Sequence, residues 1–218
     1  MLVATGRGGH ASMPAGTVNA IDLLVQYALD NALCTEEENV FLRMIGRIMA
    51  STDGSSVGID TCDGFFDPLT CIAGTIHFEE GRLKLTIDIR FPTSTSKEDL
   101  LAKLAPVVEE GEATIENTLL MEPFLMKPDS PAIVARESYR EATGLDGEPF
   151  TIGGGTYARE FRAASFGPED PHDEDPEWVG PMHGADEGIS EESLKRAMRV
   201  YILTIKRLME MDLLALSE

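Results

Sequence analysis

Residues 82–91 read RLKLTIDIRF, and no other stretch of the chain limits the fold as tightly. Leu83, Leu85, Ile87 and Ile89 fall on one side of an extended backbone, and Lys84, Thr86, Asp88 and Arg90 on the other, because successive side chains of a strand point to opposite faces. One face must be covered while the other can meet water, which is the pattern of an antiparallel sheet packed on one side. The preceding TCIAGTIHF (70–78) reads as a second strand, and EEGR (79–82) as the tight turn between them.

The neighbouring segments extend this hairpin into a domain. LVATGRG at the start suggests a strand running into a glycine-rich turn. Thr17 can cap a helix whose Ala20, Ile21, Leu24, Val25, Ala28 and Leu29 recur at helical spacing. A second helix is predicted over 36–49, with Val40, Phe41, Met44, Ile45 and Ile48 as its stripe. Residues 51–68, rich in Gly, Ser and Asp, read as a loop. Ser96 followed by Asp99 resembles a capping box and opens a helix to about Val108. ATIENTLL (113–120) alternates as a further strand. The order β-α-(α)-β-β-α-β, with the extra helix as an insertion, is the ferredoxin-like arrangement. The expected fold class is therefore α+β, with a four-stranded sandwich over residues 1–120.

Residues 121–218 have a different character. A helix is predicted over 130–144, short strands at FTIGGG and RAASFG, and an acidic, proline-punctuated loop over 168–181. A long amphipathic helix follows from Ser190, with Leu194, Ala197, Met198, Tyr201, Ile202, Ile205, Leu208 and Met209 on one face. So few elements make a thin core, as expected for an incomplete α/β portion of a larger domain.

Charge narrows the function. The formal net charge is −20, which repels phosphate backbones and anionic lipid, so neither nucleic acid nor membrane is an expected partner. No apolar run approaches the ~20 residues that cross a bilayer, and MLVATGRGGH lacks the layout of a secretory signal. Cys34, Cys62 and Cys71 show no CxxC spacing and cannot all pair, which favours a reducing, cytoplasmic setting.

Four stretches carry residues suited to chemistry: GRGGHASMPAG (6–16), IDIRFP (87–92), TIGGGTYAR (151–159) and PMHGADEGIS (181–190). Read singly, His10 fits a surface turn, Arg90 a solvated strand face, the glycine triplet a tight turn or an anion-binding nest, and His183 a loop or a metal ligand. Read together and in order, they resemble the zinc-dependent exopeptidase family that includes aminoacylase, the glutamate-releasing carboxypeptidase, carnosinase and the bacterial dipeptidase V. The resemblance rests on Gly6, His10, Ser12, Pro14, Gly16 (one place out of its usual register), Asn19 and Ala20 ahead of a helix, and on the later GGGTYAR and HGADE strings. It spans essentially the whole chain and looks most like the dipeptidase V branch, whose lid is enlarged.

That resemblance implies a ferredoxin-like lid or dimerisation domain (1–120) and the C-terminal portion of a catalytic domain (121–218). It implies two zinc ions in the intact site, with His183 as the last ligand. His10 would donate to the oxyanion, and Arg90 would take the substrate's terminal carboxylate. The turn of Gly153, Gly154 and Gly155 would offer N–H groups to that carboxylate beside Thr156, with Arg159 as a weaker substrate contact that could instead pair with the acidic loop. The family's other ligands and its general base have no counterpart in this sequence. No His-x-Asp pair precedes an apolar strand, His172-Asp173 sits in the acidic loop, and the Glu pairs at 79–80, 109–110 and 191–192 read as solvated. The expectation is a portion of a dinuclear-zinc dipeptidase acting on a dipeptide or N-acyl amino acid, inactive by itself. A non-catalytic dimerisation or interaction module is the alternative. A homo-oligomer, or pairing with a separate N-terminal half, is expected on either reading.

Overall fold

The computed structural model describes residues 1–218 apart from 117–120, 127–133, 171–172, 175, 181, 183 and 213–218. The hairpin forms as the alternation requires. Strands β1 (Thr70–Glu79) and β2 (Arg82–Arg90) are antiparallel, with Cys71 opposite Ile89, Ala73 opposite Ile87 and Phe78 opposite Leu83. Glu80 (φ 53°) and Gly81 (φ 79°) make the connection; positive φ at both central residues matches the right-handed twist of the strands. The register shifts between Ala73 and Ile76, where the Thr86 hydroxyl accepts from Thr75 N at 2.9 Å.

The chain forms two compact units, Met1–Pro123 with Ile152–Gly154, and Phe124–Thr151 with Gly155–Glu218. In the first unit, helix α1 (Ala20–Asp30) is capped by Asn19 rather than Thr17: the Asn19 side chain accepts from Ile21 N and donates to the Ala73 carbonyl at 2.8 Å. One residue thus starts the helix and ties it to β1. Helix α2 (Glu36–Met49) opens with a complete capping box between Thr35 and Glu38, and α3 (Lys97–Glu110) with the Ser96 cap. The core gathers Val25, Leu42, Met44, Ile45, Ile48, Leu100, Leu104 and Val107 from the helices, with Leu85, Ile87 and Ile89 packed against it. The 51–68 segment is more than a loop. A 3-10 turn, Ser55–Val57, sits between Gly54 and Gly58, both at positive φ, and sends Val57, Ile59 and Leu69 into the core. A Cβ on Gly54 would stand 2.4 Å from Ile59 Cγ1, so the turn closes around the residue it buries.

The four-stranded βαββαβ sheet is not what the described residues form; their sheet has two strands. Residues 2–5 join no ladder, and Leu2 and Val3 are both exposed. The backbone makes instead an isolated antiparallel bridge, Arg7 to Val18, bonded in both directions at 2.9 Å. Residues 113–116 are also outside any ladder, and 117–120 lie outside the described residues. The short strands expected at FTIGGG and RAASFG are absent too; glycine and small residues give such segments little side chain to pack.

In the second unit, α4 (Val134–Thr143) packs on α5 (Glu191–Glu210). The buried face of α5 is Ser193, Ala197, Val200 and Thr204, not the large apolar stripe. Small residues let the helices approach, and Arg207 bonds across to Ser138 Oγ at 2.9 Å and Glu141 at 2.5 Å. Tyr201 stacks on Phe166 at 4.9 Å between centroids. Leu194, Met198, Ile202, Ile205 and Met209 remain exposed. Asp170, 7% exposed, accepts from the Tyr139 hydroxyl at 2.7 Å and lies 3.6 Å from Arg196, which also bonds Asp173. Among the described residues no helix is long and apolar enough to cross a membrane.

Candidate functional site

The glycine-rich opening of the chain folds as a turn in which Met13 N bonds the His10 carbonyl at 2.9 Å. Inside that turn the Ser12 backbone N–H points at His10 Nδ1 (3.2 Å), and Ser12 Oγ lies 2.7 Å from the same nitrogen. The histidine ring is thereby held by its own turn, in the manner of a side chain that accepts from the N–H two residues on.

Arg90, at the end of β2, is gripped by Asp88 two residues earlier on the same strand face. Its Nε donates to Asp88 Oδ1 at 2.5 Å and its Nη2 to Oδ2 at 2.7 Å. This bidentate pairing raises the arginine pKa still further, hydrogen bonding to Asp88 being the main cause. Nη1 reaches the Gly153 carbonyl at 3.4 Å. A guanidinium has five N–H groups, so these bonds leave hydrogens on both Nη atoms for a further acceptor.

Gly153 meets the histidine turn on its other side. A Cβ built on it would stand 2.6 Å from Ser12 Cβ, closer than real carbons approach, and one on Gly154 would stand 4.0 Å from His10 Cε1. Glycine is required at 153 by proximity, not by backbone angle. His10, Ser12, Asp88, Arg90, Gly153 and Gly154, all of the first unit, thus form one linked group with donors of two kinds: an imidazole and an arginine edge. Such a group suits a carboxylate or another anionic oxygen.

The remaining expected residues belong to the second unit or lie outside the described residues. Gly155, Thr156 and Arg159 belong to the second unit, where Thr156 precedes a 3-10 turn, Tyr157–Arg159, and its carbonyl accepts from Arg159 N at 3.1 Å. The acidic loop engages Arg196, through Asp170 and Asp173. His183 lies outside the described residues; around it, Gly180 bridges to Glu187, and Gly180 N bonds the Asp186 carbonyl at 2.9 Å. Among the described residues no group of three or more His, Cys, Asp or Glu side chains converges as a metal ion needs. The described residues do not fit zinc by themselves. Sequence reasoning passed over Asp88 as a partner, although its place two residues before Arg90 on one strand face was the available signal.

No family model matches the chain. It is similar to curated proteins named as dipeptidases. These include a "Putative dipeptidase" of Staphylococcus saprophyticus, 26% identical over 211 residues, covering 95% of this chain and 44% of that protein. "Putative dipeptidase YtjP" of Bacillus subtilis is 26% identical over 206 residues, covering 93% and 43%. The "Beta-Ala-Xaa dipeptidase" of Lactobacillus delbrueckii subsp. lactis is 25% identical over 215 residues, covering 95% and 43%. The chain therefore spans less than half the length of these relatives.

Proposed function

We propose that this chain carries the lid and C-terminal portion of a zinc-dependent dipeptidase, and that the His10–Arg90–Gly153 group is its contribution to substrate recognition. The observation that supports this most is convergence. Residues separated by 63 positions, Arg90 and Gly153, are hydrogen-bonded, and the histidine turn packs on the same glycine. Arg90 would receive the terminal carboxylate of a dipeptide or N-acyl amino acid on its remaining Nη hydrogens, and Gly153 and Gly154 would add backbone N–H groups. His10 would donate to the oxygen that gains charge as the peptide carbonyl is attacked. The two zinc ions and the general base come from the resemblance alone, with His183 as this chain's ligand. The hairpin with α1 and α3 would be the centre of a ferredoxin-like lid, and three cysteines without CxxC spacing favour a cytoplasmic setting. The exposed Met198, Ile202 and Ile205 face of α5 would pair with a second copy of the chain.

Hydrolysis is the test. The 218-residue chain, supplied with zinc, is expected to leave β-alanyl dipeptides intact. Chelator-sensitive release of free amino acids by the purified chain would overturn its reading as an inactive portion.

A further inference from the structure

We infer that Ser12 is a positioning residue that holds His10 as the Nε2–H tautomer, so that the ring has one donor and it points away from its own turn. A backbone N–H can only donate. Because the Ser12 N–H is directed at His10 Nδ1 at 3.2 Å, that nitrogen must accept, and in a neutral imidazole the proton then sits on Nε2. The Ser12 hydroxyl, 2.7 Å from the same Nδ1, rotates to donate as well. The alternative tautomer would set an Nδ1–H against the Ser12 N–H and lose that backbone bond, while the hydroxyl would turn round and accept instead of donating.

The arrangement is anchored from outside the turn. Ser12 Cβ faces Gly153 so closely that no side chain fits there, and the Gly153 carbonyl is bonded by Arg90. The residue that orients the histidine therefore also packs on the segment that Arg90 holds. A shift of the glycine segment would move Ser12 and, with it, the direction of the Nε2–H. The use of that proton toward an oxyanion rests on the dipeptidase reading; the tautomer itself does not.

Two-bond nitrogen–proton correlation spectra of the full chain, labelled with nitrogen-15, test the inference without any substrate. His10 is assigned by comparison with His10→Gln, and spectra are taken at about pH 8.5, well above the ordinary histidine range. The expected result is an unprotonated Nδ1 and a protonated Nε2, with the Nε2–H form ahead by about tenfold or more. Ser12→Ala removes a hydroxyl that can serve either tautomer and keeps the backbone N–H, so the Nε2–H form should stay dominant, whereas Ser12→Pro, which removes that N–H, should lower the ratio roughly fivefold. Should Ser12→Pro not fold, the parent and Ser12→Ala spectra still decide the assignment. A dominant Nδ1–H form in the parent or in Ser12→Ala, or a folded Ser12→Pro with an unchanged ratio, would overturn the assignment. Failure to recognise a dipeptide would count against the functional reading alone.

Discussion

The Nη1 of Arg90 lies 3.4 Å from the carbonyl oxygen of Gly153, and Asp88 holds the other side of the same guanidinium. The strand end and the glycine turn are joined by this one side chain. Replacing Asp88 with Asn removes the charge and one of the two acceptors. The pair is about one-third exposed on each side, so the expected loss of global stability is under about 1 kcal/mol. Local order should suffer more: amide exchange at Gly153 and Gly154 should speed several-fold. Unchanged exchange there would show that Arg90 does not hold the turn.

Gly153 and Gly155 should respond differently to alanine. At 153 the added Cβ meets Ser12 Cβ at 2.6 Å, whereas at 155 nothing lies within 4 Å. Gly153→Ala is expected to cost about 1–3 kcal/mol, as overpacking does, and Gly155→Ala almost nothing. Equal denaturation midpoints for the two variants would contradict the close approach.

Asp63 predicts how the first unit responds to acid. Thr93 Oγ1, and the backbone N–H groups of Phe66, Phe65 and Thr93, lower its pKa from 3.8 to about 2. A depressed carboxylate pKa means that the folded state prefers the charged form. Its contribution is complete above about pH 4 and is lost as the pH falls through about 2. The urea midpoint should drop across that window, and Asp63→Asn should flatten the drop. An identical pH profile for the variant would contradict the clamp between the 61–69 segment and Thr93.

In the second unit, Arg196 neutralises Asp170 and Asp173 beside Tyr139. Arg196→Met leaves a largely buried carboxylate without its cation and should cost about 2–3 kcal/mol. Thermal scans would show it. A change below about 0.5 kcal/mol would mean that the loop and α5 are held by other contacts.

What the sequence disclosed follows from how local each signal is. α2, β2 and α3 were legible because a capping box or a strict alternation lies within a few residues of each element. Ile59 and Leu69 were not: they stand alone among Gly, Ser and Asp, and only the glycine-flanked turn carries them inward. On α5 the spacing marked Ala197, which is buried, but not Val200 or Thr204, because apolar spacing ranks side chains by size and these small residues carry the buried face. No local pattern in the sequence connects His10 to Gly153; only the fold brings the histidine turn against that glycine. Asp88 needed only the two-residue period of its strand.

The large residues left on α5, Met198 at 60% and Ile205 at 57% exposure among them, predict self-association through that face. Sedimentation at micromolar concentration should find a dimer, and Met198→Glu with Ile205→Glu should split it. A monodisperse parent monomer would contradict this.

The central claim is that Arg90 and the glycine turn receive the carboxylate of a dipeptide. The most direct measurement is a titration of the nitrogen-15-labelled chain with β-alanyl-histidine and, separately, with its C-terminal amide. The account predicts shifts at Gly153, Gly154 and the Arg90 side chain with the free acid, at least about tenfold weaker binding of the amide, and loss of the response in Arg90→Ala. Equal responses to acid and amide, or a response that survives Arg90→Ala, would contradict it.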